Sequence, residues 1–455
     1  MCHPRTPYPV HHERTLTRSL FLLAFLLLAA KPGPAVAQEP SSRGELEAIY
    51  PSLDSLYADL HLYPELSLHE EKTSAKLASR LRSIGFEVTE KVGGYGIVGV
   101  LKNGNGPTVL VRTDMDALPI REETGLDCAS TQQTKNDAGM IVPIMHACGH
   151  DVHMTAWIGA ATLLSRNRKS WHGTLVFVGQ PAEEVVQGAK RMIRDGLYTR
   201  FPKPDVAIGI HVDPLMPAGE IGIAPGPGYA ASNSVDITFY GRGGHGASPQ
   251  LTIDPIVMAA RAVVAFQTIV SREVNPLDPA VVTVGTFHAG TKRNIIPDQA
   301  QLSLTVRSFK PEVQKHLLAS IDRIAKGEAA AAGAPREPAV VVDSLEATDV
   351  VYNDPALSGR LMKALRKNLG AGNVKEVEPR TGSEDFGVYG QVAGIPGLQM
   401  RIGASNPAVL AQAVAAGDFP PGLHTSKFAP DREPTIRTAV AAFTLSVREL
   451  LGSPK

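Results

Sequence analysis

The sequence predicts an α/β protein that carries an inserted α+β domain. Short, nearly uninterrupted apolar strands, such as residues 108–112 and 175–178, alternate with helical segments, as in a buried and mostly parallel sheet. From about residue 229 the strands alternate apolar and polar positions, and the elements follow the β-α-β-β-α-β order of a ferredoxin-like domain. The α/β pattern resumes after residue 343, so we predict that the second domain interrupts the first.

The spacing of apolar residues predicts where the individual elements lie. In the α/β part the predicted helices are 44–60, 70–81, 152–165, 354–369 and 434–451, and the predicted strands are 86–88, 96–101, 108–112, 175–178, 206–210 and 398–402. In the inserted part the predicted helices are 254–272 and 311–327, and the predicted strands are 234–240, 280–287, 301–309 and 338–342. We predict Asp151 as the N-cap of its helix, and the Ala- and Pro-rich stretch 404–421 as a longer loop.

The N-terminal segment, residues 1–37, has the features of a secretory signal peptide. Basic residues precede an apolar run of 11 residues over 20–30, which is shorter than the roughly 20 residues that span a bilayer. Ala35-Val36-Ala37 then offers a small-x-small cleavage site, although an uncleaved anchor is the alternative. Since no other stretch looks apolar enough to cross a membrane, we expect an exported protein, periplasmic or secreted, without a stable membrane anchor.

The overall charge excludes some partners. The 455-residue chain has 45 basic and 45 acidic residues and therefore no formal net charge. A protein that binds nucleic acid usually carries a basic excess, so we expect no nucleic-acid partner.

Side chains of the kind that bind metals follow three of the predicted buried strands. Asp114 and Asp116, then Glu183 and Glu184, then His211 come directly after the strands at 108–112, 175–178 and 206–210. Functional groups collect at the carboxyl ends of strands in α/β sheets. A single Asp after a strand is commonly only a turn or cap residue, so the combination of the three sets is what indicates a site.

Two further candidate ligands, Cys148 and His150, lie two positions apart before a predicted helix. A disulfide with Cys128 is the alternative reading of Cys148 in an oxidising compartment. With Glu184, His211 and His424 they make five ligands, more than a tetrahedral zinc with an open position can take. Five suit two divalent ions that share a bridge, either the thiolate or a hydroxide, with zinc or manganese as the candidate metals.

The remaining polar residues have supporting roles, or roles for which the sequence leaves alternatives open. Glu183, adjacent to the ligand Glu184, is a candidate general base, although a pair of glutamates in a loop is often only solvated. Asp116 can orient a metal-bound imidazole, and His153 is either a supporting or a structural residue. A glycine-rich turn at 241–249 presents His245, which is weak evidence when taken alone.

These residues, taken in order, resemble the M20 metallopeptidase family. Within it the chain is similar to the amidohydrolase subfamily of hippurate hydrolases, N-acyl-amino-acid amidohydrolases and auxin-conjugate hydrolases. The matching motifs run through nearly the whole mature chain: His61-x-x-Pro64-Glu65-Leu66, Asp114-Met115-Asp116-Ala117-Leu118-Pro119, His146-Ala147-Cys148-Gly149-His150-Asp151, Gln180-Pro181-Ala182-Glu183-Glu184, Gly209-x-His211, Gly244-His245-x-Ala247-x-Pro249, Asn294-Ile295-Ile296-Pro297, Gly382-Ser383-Glu384-Asp385-Phe386 and His424.

The resemblance implies an architecture and a set of roles. It implies a di-metal zinc-peptidase-like catalytic domain over 42–227 and 344–452, with an inserted lid over 228–343 that commonly forms a homodimer. The implied metal ligands are Cys148, His150, Glu184, His211 and His424. Glu183 would be the general base, Asp116 would lie behind the ligands, His245 would stabilise the oxyanion, often across the dimer, and Asn294 and Arg307 would bind the substrate carboxylate.

The function implied is hydrolysis of the amide bond of an N-acyl amino acid or a short peptide. A carboxypeptidase or dipeptidase acting through the same site is the alternative enzyme. A metallated peptide-binding protein without activity is the alternative from another class, and its sign would be loss of the base, whereas Glu183 is present. The cysteine and the Asp114-x-Asp116 pattern argue against the branches that use a bridging aspartate, the succinyl-diaminopimelate desuccinylases and dipeptidases.

Overall fold

An eight-stranded mixed sheet organises the α/β region of the chain. The computed structural model describes residues 40–452, and the predicted signal peptide lies outside them. The helices are α1 (Pro40–Leu62), α2 (Glu71–Ser83), α3 (His150–Arg166), α4 (Gly188–Arg194), α5 (Leu197–Arg200), α6 (Pro255–Thr268), α7 (Pro311–Ala331), α8 (Pro355–Leu369), α9 (Gly387–Ala393), α10 (Pro407–Ala415) and α11 (Arg432–Leu451).

Within residues 40–452 the strands include the ten that the sequence predicts, in the predicted order, and eight short ones that it does not predict. The strands are β1 (Glu87–Val92), β2 (Gly96–Asn103), β3 (Thr108–Asp114), β4 (Gln133–Lys135), β5 (Ile141–Pro143), β6 (Gly173–Gln180), β7 (Val206–Pro217), β8 (Ile221–Ile223), β9 (Gly226–Tyr229), β10 (Ala231–Tyr240), β11 (Gly244–His245), β12 (Ala280–Ala289), β13 (Ile295–Ile296), β14 (Gln299–Ser308), β15 (Ala339–Thr348), β16 (Val351–Asn353), β17 (Val374–Glu376) and β18 (Gly397–Ser405).

The large sheet has the order β1-β2-β6-β3-β7-β18-β8-β17. Its four central strands, β6, β3, β7 and β18, run parallel, so their carboxyl ends lie at one edge. These strands are almost wholly buried because helices cover both faces. On one face Phe177 of β6 lies 5.2 Å from Trp157 of α3, measured between ring centroids. On the other, Val176 packs in a cluster with Met192 of α4 and Tyr389 of α9.

Three local predictions are wrong. The strand predicted to end at residue 210 continues as β7 to Pro217, so His211 lies within a strand and not after it. The stretch predicted as a loop contains α10, which Asn406 caps by accepting from the main-chain N–H of Ala408. Asp151 is not the N-cap of α3, because that position belongs to Gly149 in the left-handed region at φ 77°. A Cβ at Gly149 would lie 2.6 Å from Val212 Cγ2, so the close approach of α3 to β7 requires the glycine.

A second sheet forms the α+β region, residues 231–348. Its strands pair antiparallel in the order β12-β14-β10-β15. The chain order β10-α6-β12-β14-α7-β15 is the predicted ferredoxin-like order. Phe239 and Leu302 of the sheet pack in one core with Phe266 of α6 and Leu317 of α7. The predicted domain boundaries at 228 and 343 stay predictions, and β15 runs on to Thr348.

One helix of the described residues is long and apolar enough, by length and composition, to cross a membrane. It comprises Pro255–Glu273 and has a mean hydropathy of 1.2. The sequence-based expectation that no stretch beyond the signal segment passes this test is therefore wrong. The helix contributes Met258, Ala262 and Phe266 to the core of the α+β region, which accounts for its apolar composition.

Candidate metal centre

Two groups of three side chains meet at the carboxyl edge of the central strands, and both include Cys148. In the first group the ligand atoms of Cys148, His150 and His211 lie within 4.8 Å of one another. In the second group the same holds for Cys148, Glu184 and His424. The five residues that the resemblance implies as ligands are therefore brought together, and the sulfur is the atom common to both groups.

The distances place the sulfur between the two groups. Cys148 Sγ lies 3.5 Å from His211 Nε2 on one side and 3.3 Å from His424 Nε2 on the other. Glu184 reaches His424 with one oxygen at 3.3 Å and His150 with the other at 3.7 Å. Cys128 and Cys148 are both free thiols, so the alternative of a disulfide between them is wrong.

Each ligand comes from a different local structure. Cys148 lies in the turn before α3, His150 begins α3, Glu184 follows β6, and His211 lies in β7. His424 lies in the loop before α11 with φ 60°, and its main-chain N–H donates to Ala147 O at 2.9 Å. That bond ties the last ligand to the segment that supplies the first.

Two buried ligand atoms have no hydrogen-bond partner among the described residues. They are His150 Nε2 and Glu184 Oε1, which face each other across the cluster. Buried polar atoms are normally paired, so unpaired ones that converge with a thiol indicate a place for a ligand. Thiolate, imidazole and carboxylate at this spacing fit zinc or a neighbouring divalent ion. The residues present therefore fit a pair of divalent ions.

The imidazole rings are oriented by bonds at their other nitrogens. His150 Nδ1 donates to the main-chain oxygen of Asp116 at 2.8 Å, and His211 Nδ1 donates to Val212 O at 2.8 Å. Both bonds leave Nε2 as the atom that points into the cluster. Asp116 thus orients His150 through its main chain, while its carboxylate accepts from Ser67 Oγ at 2.6 Å and from the N–H of Glu184 at 2.9 Å.

Glu183 lies beside the cluster and is buried. Its Oε2 is 3.7 Å from His150 Nε2. Burial, followed by the nearby charges of Glu384 and Glu184, raises the pKa of Glu183 well above its usual range. Burial likewise raises the pKa of Glu184 to about 8. Such an excess of buried carboxylates needs compensating positive charge, which divalent ions would supply.

Opposing effects act on the two histidines of the first group. Burial would lower the pKa of His150, but the charge of Asp114 and the hydrogen bond with Asp116 outweigh it and raise the pKa to about 10. At His211 burial prevails and lowers the pKa to about 4. His211 therefore offers a neutral ring nitrogen, whereas His150 must release a proton before it can bind a metal.

A buried ionic network supports the cluster, and the sequence analysis missed it. Arg112 donates to Asp114 at 2.6 Å, to Glu384 at 2.8 Å and to Asp385 at 3.2 Å. Asp114 also pairs with His153 Nδ1 at 2.7 Å, whose Nε2 accepts from the N–H of Val212 at 2.9 Å. This chain of bonds fixes the strand that carries His211. An arginine within a buried strand, two residues before Asp114, was the signal available in the sequence.

The residues predicted to contact substrate lie in the α+β region. His245 pairs with Ile295 across β11 and β13, and Asn294 O accepts from the N–H of Gly246 at 2.9 Å, so His245 and Asn294 lie close together. Arg307 lies in β14, half-buried, and donates to Val306 O at 3.1 Å. Among the described residues no contact joins any of these three to the metal cluster, and none joins Arg307 to the other two.

The fold and this cluster together define a metal-dependent amidohydrolase or peptidase that uses two divalent ions. Residues 110–416 match peptidase family M20/M25/M40, and the chain belongs to this family. The predicted recognition, enzymatic nature and two-ion cofactor are thereby confirmed, as is the α/β fold class, while the role of the inserted region as a lid stays a prediction.

Relatives and a solved structure agree with this assignment. The chain is 37% identical over 332 residues to the hippurate hydrolase of Campylobacter jejuni, covering 72% of this chain and 82% of the relative. It is 35% identical over 393 residues to thermostable carboxypeptidase 1 of Saccharolobus solfataricus, covering 86% and 93%. The Bacillus subtilis YXEP protein, a dinuclear metal-binding peptidase of the M20 family, superposes with a TM-score of 0.71 at 30% identity, covering 89% of this chain and 99% of that one.

Proposed function

We propose that the protein hydrolyses the amide bond of N-acyl amino acids. The observation that carries this proposal is the pair of ligand groups that share Cys148, with the buried Glu183 carboxylate beside them. The similarity to a hippurate hydrolase supports an N-acyl amino acid as substrate. The similarity to a carboxypeptidase favours short peptides as the second substrate class.

Two divalent ions at the cluster, whether zinc or manganese, would activate a water molecule and polarise the scissile carbonyl. Glu183 is the general base of the proposal: its carboxylate takes a proton from the attacking water and later gives it to the leaving nitrogen. The raised pKa suits the second duty, because burial and the neighbouring carboxylates help Glu183 to hold the proton until the leaving nitrogen takes it.

His245, Asn294 and Arg307 complete the proposed site from the α+β region. In this proposal His245 donates to the developing oxyanion, while Asn294 and Arg307 bind the carboxylate of the amino acid. The exposed position of His245 and Asn294 supports a role that is completed when substrate or a second subunit approaches. A homodimer formed through the α+β region is part of the same proposal.

Export is proposed from the N-terminal segment alone. A basic start, an apolar run too short to span a bilayer and a small-x-small site support cleavage after Ala37 and a periplasmic or secreted mature protein. Mass spectrometry of the protein recovered from the exported fraction tests this, and a mature N-terminus at Gln38 is expected.

Turnover on a substrate panel tests the activity. The purified chain, loaded with manganese or with zinc, is offered N-acetyl, N-benzoyl and indole-acyl amino acids, and also unblocked dipeptides and tripeptides. We expect the N-acyl amino acids to give the higher kcat/KM. Faster release of C-terminal residues from unblocked peptides would identify a carboxypeptidase or dipeptidase instead.

A further inference from the structure

A mainly apolar cavity of about 510 Å³ adjoins the metal cluster at His211. Its volume lies in the range of about 300–1,000 Å³ that is usual for small-molecule sites. Val212, Leu215, Tyr229 and Phe419 supply apolar surface. The ring of Tyr229 lies 6.1 Å from that of His211, so a group in the cavity would be the neighbour of the reacting carbonyl.

The cavity also contains an unequal set of charges. Asp213 is buried and faces two arginines, with Arg380 Nη2 at 2.9 Å and Arg401 Nη1 at 3.6 Å. The carboxylate also accepts from the N–H of Leu215 at 2.9 Å. Glu378, whose main-chain oxygen accepts from Arg401, is exposed and does not line the cavity. Two guanidinium groups and one carboxylate line the cavity. They leave a net positive charge in a cavity whose walls are otherwise mainly apolar.

Arg380 is the arginine that can reach a ligand. Its side chain is 40% exposed, whereas that of Arg401 is 4% exposed. Both of its described side-chain hydrogen bonds run from Nη2 to Asp213, so the bonds of the structure leave Nε and Nη1 for another acceptor. A guanidinium group has five N–H donors and binds carboxylates in a planar, two-bond geometry.

The main chain holds Arg380 in place. Its N–H donates to Gly228 O at 2.9 Å, and its carbonyl accepts from the N–H of Ala230 at 3.1 Å. The side chain therefore projects from a fixed point at the beginning of the α+β region. The pairing with Asp213 restrains the guanidinium further, so little conformational entropy remains to be lost when a ligand binds.

The opposite wall comes mainly from the Ala- and Pro-rich stretch 404–421. Phe419 and Pro420 follow α10, and Leu423 precedes the candidate ligand His424. Phe419 is 74% exposed, which is unusual for a phenylalanine and leaves its ring available to a ligand.

We propose that this cavity binds the acyl half of the substrate and selects acyl groups that join an apolar ring to a terminal carboxylate held by Arg380. The inference rests on the proposed function and names the substrate class for it. The acyl half is assigned because the residues proposed to bind the amino-acid carboxylate lie in the α+β region. The cavity is instead walled by β7, β18, Tyr229 of β9 and the two loops that carry Arg380 and Phe419.

Two matched substrates test the proposal. The full metal-loaded chain is given N-(4-carboxybenzoyl)glycine and N-(4-methylbenzoyl)glycine, which differ only at the far end of the ring. We expect kcat/KM to be at least about tenfold higher for the carboxylate, since hydrogen bonds to charged groups are the strong ones. In Arg380→Met the ratio falls to about one, and in Arg380→Lys part of the preference remains. A ratio within one variant does not depend on the folded fraction.

Arg360→Met is the matched control. Arg360 is also a half-exposed arginine in an ion pair, with Glu449 at 2.9 Å, and it lies outside the cavity. The Arg360→Met variant should keep the ratio of kcat/KM values that the unmodified chain shows for the two substrates. If the unmodified chain hydrolyses both substrates equally well, or Arg380→Met keeps the preference, the inference is overturned while the proposed function stands.

A binding measurement separates the two proposals if neither substrate is turned over. Calorimetry with benzene-1,4-dicarboxylate and 4-methylbenzoate then reports on the cavity alone. Tighter binding of the dicarboxylate that is lost in Arg380→Met supports the inference even though the hydrolase proposal has failed. Equal binding of the two acids, or no binding of either, contradicts the inference.

Discussion

At the edge of the eight-stranded sheet the candidate side chains are mostly buried, whereas in the α+β region His245 and Asn294 are exposed. The buried histidines are oriented at Nδ1 by main-chain oxygens, and the Arg112 network holds the strand behind them. Within the α+β region the described contacts of His245 and Asn294 stay inside one small two-stranded pairing.

The difference shows which part of the site is complete in a single chain. The metal cluster needs no further element to bring the three ligand atoms of each group within 4.8 Å of one another. The proposed oxyanion and carboxylate contacts require the α+β region to approach the cluster, by domain movement or by dimerisation. Substitutions in the first region should therefore affect metal binding or chemistry, and substitutions in the second should affect turnover without changing metal content.

The largest effect is expected at Glu183. In Glu183→Gln the amide keeps the shape of the side chain but cannot accept a proton, so kcat should fall by about 10²–10⁴-fold. Metal content, measured by elemental analysis, should remain that of the unmodified chain. Glu184→Gln is the matched control, because it changes a residue of the ligand group and should lose metal as well. Unchanged turnover in Glu183→Gln would remove Glu183 as the base.

Cys148 comes next, because its sulfur belongs to both ligand groups. If the sulfur holds both ions, Cys148→Ala would remove a ligand from each of them. Metal affinity should then fall by more than the factor of about 10–100 that follows loss of a residue behind a ligand. Competition with a chelator measures this. Cys128→Ala, a second buried free thiol, should leave the affinity unchanged. Full metal stoichiometry and activity in Cys148→Ala would show that the thiolate does not bridge the ions.

His245 tests the second region. In His245→Ala the loss of one donor to the oxyanion should lower kcat by about 10²-fold while metal affinity stays constant. His288→Ala, an exposed histidine of β12 in the same α+β region, should change neither quantity. Loss of metal from His245→Ala would instead show that this histidine belongs to the metal cluster. The two regions would then not have separate roles.

The last prediction concerns the pH dependence of metal affinity. Burial raises the pKa of Glu184 to about 8 and also raises that of Cys148, while nearby carboxylates raise that of His150 to about 10. All three hold protons at neutral pH and must release them to a metal, so affinity should weaken as pH falls. We expect at least about tenfold per pH unit between about pH 8 and about pH 6 for each proton released. An affinity independent of pH in this range would contradict these protonation states.

The α/β region and the convergence of the ligand-type side chains could be predicted from the sequence, because both follow from local patterns. Buried strands such as β3 and β6 are continuous apolar runs, and ligand-type side chains at their carboxyl ends converge by the geometry of a parallel sheet. The ferredoxin-like order was also visible, since it depends only on the succession of periodicities.

The errors arose where distant contacts decide the local structure. Asp151 looks like a helix cap, but its carboxylate pairs with His61 at 2.6 Å, a residue 90 positions away. The contact between Gly149 and Val212 that sets the true cap is equally long-range. The missed α10 is different, because Asn406 and Pro407 are a cap and a first helical residue that the sequence displayed.

The bond from His424 to Ala147 and the contact from His424 to Cys148 join segments 276 residues apart along the chain. An ion held by both side chains would act as a cross-link that closes this loop. Because the loop contains the whole α+β region, closing it restricts the conformations of a long part of the unfolded chain. Metal binding would then stabilise the folded chain as a whole, and protease resistance of the 418–424 loop would report on its occupancy.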